Sequence, residues 1–434
     1  MTARLAILAD DLTGAADTGA PFAAAGRSTV VLLSPDAPVP LPSADVLVLT
    51  SESRGLPLDE AREATRRSAA RIGAWCQGDA SVRVYKKIDS TLRGHPAIEL
   101  QILMETLGER TALVAPAFPA QGRTTVGGRQ CVNGVPIERT AFGQDGVTSD
   151  LGALFARSAG AAVAALSRGD LQRGVEHLVG RLMQEQGIRL WIADAEDDGD
   201  LAVLAAAALA SPLRLLCGSA GLARAIATVR RQGLRASRRN VHDGRRPRAE
   251  GHVLPAEGRR PNDEGRHAVL VVAGSRHATT AAQVDALRRH GAVVVHLEVP
   301  CLEGTDLSGA ARTVAHVADI LATGRHAVIS TTGLPDVSSD RVVVAARLAS
   351  IVAGVCDRVR VGGLVLTGGD TASAVCHALE SSSLWLTGEL QPGLATGTLI
   401  GGRQQDLPVV TKAGGFGDET ALQHAVSVLD ARGS

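Results

Sequence analysis

The stretch YKKIDSTLRGH, Tyr85 to His95, sets two lysines ahead of an Ile-Asp-Ser-Thr run in a chain that otherwise avoids lysine. Of its 45 Lys and Arg residues, only Lys86, Lys87 and Lys412 are lysine. Lysine is a compact point charge on a flexible stem and arginine a planar fork, so a site that needs the first cannot take the second. The retained lysines are therefore expected to mark chemistry, with chance clustering as the competing reading. Residues able to move protons or hold anions recur around them. ADDLTGAAD carries Asp10, Asp11, Thr13 and Gly14; SESRG carries Glu52, Ser53 and Arg54; KKIDSTLRG carries Lys87, Asp89, Ser90, Thr91 and Arg93. Carboxylates that can accept a proton beside cations that can clamp an anion suit a small hydroxy acid better than an apolar ligand. Singly, Asp and Thr also cap helices; their recurrence at three successive strand ends carries the reading.

The second half offers glycine where the first offers charge. LVVAGSRH holds Gly274 and Ser275, LVLTGGDTASA holds Gly368, Gly369, Asp370 and Thr371 at a helix start, and VTKAGGFGDE holds Lys412, Gly414, Gly415 and Gly417. Backbone N–H groups at a helix N-terminus attract anions, and glycine lets phosphate oxygens approach the chain. Three such ends point to a nucleotide, with Asp370 available to Mg2+ directly or through water. No Gly-Lys pair occurs, and GxGxxG, GxSxG and HExxH are absent, which removes the support for a P-loop, a Rossmann dehydrogenase, a serine hydrolase or a zincin.

These residues need strands to carry them. Short Val/Leu/Ile runs (RLAILADD, STVVLLS, ADVLVLTSES, VRVYKKIDS, TALVAPAF, RLWIADA, RLLCGSAG) alternate with longer Ala/Arg/Glu stretches, and AVLVVAGS, AVVVHLEV, HAVISTTG, GLVLTGGD and LPVVTKAGGFG continue the rhythm. That alternation predicts an α/β fold: two domains, each a mostly parallel sheet flanked by helices, with a cleft between them. Ligands in such sheets bind beyond the carboxyl ends of the strands. Length agrees, since 434 residues exceed one ordinary core. The expected division is an acid-binding domain over 1–229, an exposed Arg-rich linker over 230–266 and a nucleotide-binding domain over 267–434. FPAQGRTTVGGRQCVNGVPI, residues 118–137, reads as a loop with a short hairpin that serves as a functional lid or an oligomer contact. Along β-type VRVYKK, alternation sends Lys86 to the face opposite Lys87, where an arginine should be tolerated. Zero formal charge and 2% aromatics argue against nucleic acid or an anionic membrane as partner. Six cysteines without CxxC spacing fit a reduced cytoplasmic setting.

Taken together, ADDLTGAAD, SESRG, KKIDSTLRG, FPAQGRT, VNGVPIERTAFGQD, GSAGLA, VVAGS, LTGGDTA, ELQPG and KAGGFGDE resemble the four-carbon acid sugar kinase family, from the first strand to near the C-terminus. The resemblance implies ATP-dependent phosphorylation of threonate, erythronate or 3-oxo-tetronate at the terminal hydroxyl. It implies acid binding by Asp10 or Asp11, Arg54 and the run Lys87, Ile88, Asp89 and Ser90. It implies ATP binding by Ser275, by Gly368, Gly369, Asp370 and Thr371, and by Gly414 with Gly415. The chain departs from the family in a longer, more Arg-rich linker and in VAGSRHATT, which lacks a Cys or Pro after the serine. The expected partners are thus a small sugar acid and ATP with Mg2+, self-association being left open. On this reading Arg54 holds the acid's carboxylate and Asp89 accepts the hydroxyl proton, with Asp11 or Asp10 as the alternative. Lys87 neutralises charge on the moving phosphoryl group. Two other readings use the same residues: an aldolase or dehydratase with Lys87 as a Schiff base, and a sugar-acid sensor without turnover.

Overall fold

The apolar runs form strands that end at the polar and glycine-rich clusters singled out above. The structure, a computed structural model, describes residues 4–36, 42–145, 147–159, 162–183, 189–239, 267–297, 307–332 and 341–432. The first half contributes β1 (Leu5–Ala9), β2 (Thr29–Leu32), β3 (Val46–Thr50), β4 (Arg83–Lys87) and β5 (Thr111–Ala115). A small separate sheet follows, of β6 (Arg123–Val126), β7 (Arg129–Val132) and β8 (Val135–Pro136), and then β9 (Ala162–Leu166), β10 (Arg189–Ala193) and β11 (Leu215–Gly218). The second half contributes β12 (Val269–Ala273), β13 (Val293–His296), β14 (Ala327–Ser330), β15 (Gly363–Thr367), β16 (Ser383–Gln391), β17 (Leu394–Ile400) and β18 (Pro408–Lys412). LAILA in β1 and VLVVA in β12 are buried along their whole length, as parallel strands covered on both faces must be. Leu5, Ile7 and Ala9 enter one core, and Ala6 and Leu8 the other.

Two sheets are expected, and the structure joins them edge to edge. The strand order is β13-β14-β12-β15-β18-β17-β16-β2-β3-β1-β4-β11-β5-β10-β9, fifteen strands in one sheet. Every pairing is parallel except along the seam, where β16 and β17 form an antiparallel hairpin that pairs with β2 on one side and β18 on the other. Pro392 and Gly393 turn the hairpin, with Gly393 at φ +83; proline presets the first turn position and glycine supplies the positive φ of the second. One core, from Ile7 and Trp191 to Val272 and Leu366, runs along a single face through both halves. Across the seam Asp17 Oδ1 accepts from Gly393 N at 2.9 Å. Arg224 holds Glu389 through two bonds of 2.5 and 2.6 Å.

The segment 118–137 holds the expected hairpin and adds a third strand to it. β6, β7 and β8 pair antiparallel, and the β6–β7 turn is Gly127-Gly128, both at positive φ, the pair of conformations a two-residue hairpin needs. Asp194 pins that turn by accepting from Gly127 N and Gly128 N at 3.0 and 2.8 Å. Gln130 Nε2 donates to Ser90 O at 2.8 Å, so the small sheet buttresses the turn after β4. The stretch expected as an irregular linker begins instead as helix: Ala220–Arg239 is continuous, because Arg, Ala and Leu are good helix formers. The rest of that stretch, 240–266, lies outside the described residues.

Lys86 does point away from Lys87, but not to a tolerant surface. It is fully buried, and its Nζ lies 2.8 Å from Glu99 Oε2 on the helix Pro96–Leu107. It also donates to Lys87 O at 2.9 Å, while Ser53 Oγ donates to the other Glu99 oxygen at 2.5 Å. The expectation of a silent arginine here is corrected by this closed pocket, which has no room for a planar fork. Lys86→Met should lower stability by about 3 to 5 kcal/mol, because Glu99 would be left charged and buried. Adding Glu99→Leu should recover most of that loss. Urea denaturation of both variants checks the coupling, and equal losses in the single and double variants would show that the pair is not coupled.

Candidate active site

Asp11 ends the first strand as the N-cap of the helix Leu12–Ala24, with extended backbone at φ −151, ψ 160 and Oδ1 accepting from Gly14 N at 2.9 Å. Its Oδ2 accepts from Thr13 Oγ1 and from Arg54 Nη1, each at 2.8 Å. Arg54 spends its remaining edge on Asp10, Nε to Oδ2 and Nη2 to Oδ1, both 2.8 Å. Burial pushes the Asp10 carboxyl up, but the charge and hydrogen bonds of Arg54, with Lys87 and Lys86, outweigh it and hold it at about 2. Arg54 in turn is driven well above its ordinary value, because Asp10, Asp11 and Asp89 overcome the penalty of burying it. Lys87 Nζ closes the group from β4. A Cβ placed on Gly14 would lie 2.3 Å from Asp11 Oδ1 and 2.8 Å from Lys87 Nζ, so the charge cluster fills the space a side chain would need.

Asp89 is bound differently from its expected role. Arg93 Nε and Nη2 take its two oxygens at 2.8 and 2.9 Å, and Thr91 adds bonds from its N and Oγ1. Burial raises this carboxyl, yet Arg93, Arg54 and Lys87 hold it well below the usual range, which leaves little affinity for a proton. Asp17 has the opposite bias. It sits one turn beyond Gly14 on the same helix face, lines the cavity, and is raised by burial despite the opposing charges of Lys87 and Arg224. Glu52, at φ +50, is pushed up to about 7 by burial, and its carboxyl bonds Thr50 and, across the seam, Ser373.

The glycine-rich ends of the second half converge opposite this cluster. A Cβ on Gly274 would fall 2.0 Å from Thr371 Oγ1, one on Gly414 would fall 2.4 Å from Ser275 Oγ, and one on Gly415 would meet the His277 ring at 3.3 Å. Gly368, at φ +92, caps the helix Gly369–Ala378 without a side-chain bond, leaving first-turn N–H groups for an anion. A Cβ on Gly369 would lie 2.7 Å from Asp11 Oδ2, so the two halves touch at the point where charge faces glycine. The whole encloses about 650 Å3. Lys87, Asp11, Asp89, Ser90 and Arg54 line it from one half, and Ser275, the run Gly368 to Thr371, Gly414 and Gly415 from the other. Two expected residues do not reach it. Asp10 lies behind Arg54, and Ile88 is packed in the core with its N–H bonded to Gly218 O at 2.9 Å.

Sequence reasoning passed over Asp17, Arg123, His277 and three of the five phenylalanines. Phe118, Phe142 and Phe416 line the cavity, and the Phe118 and Phe416 rings meet across the two halves at 6.1 Å. In a chain with 2% aromatics, phenylalanine beside a strand-end loop was the signal available.

A family model described as a sugar-binding N-terminal domain matches residues 5–226, and one described as a nucleotide-binding C-terminal domain matches residues 270–422. The D-threonate kinase of Salmonella typhimurium is 33% identical over 98% of this chain and 98% of its own length. The chain belongs to the four-carbon acid sugar kinase family. The D-threonate kinase of Cupriavidus necator is 34% identical over 96% of both chains, and the D-erythronate kinase of Heliobacterium modesticaldum is 29% identical over 98% of this chain and 96% of its own. The fold is shared with the solved Haemophilus influenzae protein HI1011 of the DUF1537 family, at a TM-score of 0.71 with 21% identity, covering 98% of this chain and 100% of that one. No helix among the described residues of this kinase is long and apolar enough to cross a membrane.

The Asp10–Arg54 pair sets an acid limit on this fold. A carboxyl depressed from 3.8 to about 2 contributes stability that is complete above its unfolded value and disappears as pH falls through the folded one. The contribution is about 2 kcal/mol. Asp10→Asn should therefore melt earlier than wild type at neutral pH and lose less on acidification to about pH 2. Melting curves across that range check it, and parallel losses in both proteins would refute the linkage.

Proposed function

We propose that this four-carbon acid sugar kinase transfers the γ-phosphoryl group of ATP to the terminal hydroxyl of D-threonate, in the cytoplasm and with Mg2+. The observation that carries the reading is the shared cavity, in which the Asp11–Arg54–Lys87 cluster of the first half abuts the Gly369 helix start of the second. D-threonate is preferred among four-carbon acids because the named D-threonate kinases are the more similar relatives, at 33 and 34% against 29% for the D-erythronate kinase. The five described cysteines, all buried free thiols, fit a reducing compartment.

In this reading residues 1–229 receive the acid and residues 267–434 the nucleotide. Gly368, Gly369, Thr371, Ser275, Gly414 and Gly415 cradle the phosphates with backbone N–H groups and hydroxyls. Asp370, on the first turn of the glycine-capped helix, is the carboxylate that would hold Mg2+. Mg2+ that keeps its waters and leans on one carboxylate plus substrate phosphates would need no dedicated cluster of ligands. Bound there, Mg2+ supplies charge neutralisation on the phosphates. Arg54, with three of its five donors on Asp10 and Asp11, presents the others to the acid's carboxylate, and Arg93 and Asp89 orient the hydroxyls. Lys87 neutralises charge on the moving group. Asp17 takes the proton of the terminal hydroxyl, since its raised carboxyl accepts one where Asp89 does not. Nothing around Lys87 favours Schiff-base chemistry over this role, with the nucleotide loops meeting it in one cavity.

An ADP-release assay over D-threonate, D-erythronate and 3-oxo-tetronate should give the highest kcat/KM for D-threonate, and no ADP with any of the three would sink the reading. Lys87→Arg should keep the charge but lower kcat by about ten- to a hundredfold, because the fork misplaces it in a closed site. Asp17→Asn should lower kcat by about a hundredfold or more with little change in either KM. Asp89→Asn should act mainly on the KM of the acid. If Asp89→Asn proves the more damaging to kcat, the proton acceptor is Asp89 after all.

A further inference from the structure

Lys412 ends β18 directly before the loop Ala413–Gly415 that lines the cavity, and it is fully buried. Its Nζ donates to Gly414 O at 2.8 Å, to Ala413 O at 3.1 Å and to Thr280 Oγ1 at 3.3 Å. Thr280 Oγ1 itself donates to Gly414 O at 2.9 Å. The ammonium group thus rests on three neutral oxygens. Adjoining elements carry titratable groups near the loop, and among the described residues none of them bonds to Lys412. Asp418 accepts from Thr420, Asp17 accepts from Gly393 N, and His277 Nδ1 accepts from Thr279 N. Asp370 stands in the cavity wall. Among the described residues no carboxylate pairs with Lys412, and burial alone acts on its pKa, lowering it to about 8.

The geometry has a consequence for the other side of the loop. In a trans peptide the C=O and the following N–H point in opposite directions. With the carbonyls of Ala413 and Gly414 drawn down onto the ammonium group, the N–H groups of Gly414 and Gly415 are turned away from it, and no described protein group accepts from either. Successive N–H groups directed to one side form an anion-binding nest. Resting on the reading that nucleotide phosphates occupy this cavity, we propose that Lys412 is a positioning residue for them. It sets the Gly414–Gly415 nest from beneath, and the arriving phosphates supply the counter-charge that the fold withholds. Binding then favours the ammonium form, so above about pH 8 the enzyme should take up a proton at Lys412 as the nucleotide binds.

The test is calorimetric titration of the full-length enzyme with Mg-ADP at about pH 8.5 in buffers of contrasting ionisation enthalpy, where ADP itself is fully deprotonated. Wild type should take up a fraction of a proton, falling towards none at about pH 6.5. Lys412→Met should abolish the uptake and raise the KM for ATP about tenfold or more, leaving that of the acid unchanged. Lys412→Arg should restore neither, since a guanidinium is already charged at pH 8.5 and takes up no proton, and its planar fork cannot aim at the three oxygens. Should Lys412→Met fail to fold, Thr280→Val removes one oxygen and should move the midpoint of uptake to lower pH. Uptake that persists in Lys412→Met, a midpoint unmoved in Thr280→Val, or ADP binding without uptake in wild type each overturns the proposal. Absence of any ADP binding overturns the nucleotide reading itself, and the inference with it.

Discussion

Buried charge at the ends of β1, β3 and β4 must be neutralised within the fold, and the rest of the structure is arranged to allow it. An ion taken out of water and left unpaired costs several kcal/mol. Asp10 and Asp11 leave β1, Arg54 follows β3 and Lys87 ends β4, so no one of them can be satisfied by its own segment. The parallel registers Ala9↔Thr50 and Leu8↔Lys86 bring the three strand ends level. Arg54, with donors on two carboxylates at once, then works as the clasp between neighbouring crossovers. The cluster meets the demands of stability while leaving Lys87 and one edge of Asp11 directed at the second half, where the glycines stand.

How that second half is held in place follows from the seam. Parallel sheets from separate domains would meet across a cleft with only side chains to align them. Here the β16–β17 hairpin carries backbone hydrogen bonding from β18 through to β2, so the glycine ends of β12, β15 and β18 and the charged ends of β1, β3 and β4 belong to one sheet. The hairpin is also where that sheet departs from regularity. Its register shifts between Leu386 and Gly388 and again between Glu389 and Gln391. Bulges bend a strand and increase its twist, so the sheet bends most sharply at the seam between its two halves. The Arg224–Glu389 pair and the Asp17–Gly393 bond sit beside the irregular stretch and limit how far it can bend.

Much of this was legible in the sequence. In a βα fold the polar residue after an apolar run stands at a strand's carboxyl end, and Asp11, Arg54, Lys87, Gly369 and Gly414, singled out that way, all line the cavity. The seam was not, because SLWLTGELQPGLATGTLI breaks the βα rhythm without a helix. The Pro-Gly between its two runs was the available sign of an antiparallel turn. Asp17 was hidden for another reason. A residue inside a helix shows its surroundings only once the chain is folded, here the Gly393 N–H from the far end of the chain and the cavity beside it. Asp89 was legible as a cavity residue, but not that its carboxyl would be held below the usual range. Its acidity is set by Arg93, one turn away in sequence, whose fork closes on it only in this backbone.

All three lysines are buried, and for Lys86 and Lys412 the surroundings account for their survival in an arginine-rich chain. Lys86, Lys87 and Lys412 are 0, 5 and 0% exposed, whereas the arginines at helix surfaces, such as Arg62, Arg66 and Arg288, are open to solvent. Each lysine stands at the carboxyl end of a strand, where backbone carbonyls crowd together. Lys86 Nζ reaches Lys87 O and Glu99, and Lys412 Nζ reaches Ala413 O, Gly414 O and Thr280. Three donors that rotate about one bond can be satisfied in such a tripod. Five donors fixed in a plane cannot, and any left over would be buried without a partner. Lysine is therefore retained where a single charge must be enclosed by oxygen on several sides, which in this fold means beneath the charge cluster at the ends of β1, β3 and β4 and beneath the glycine loop that faces it.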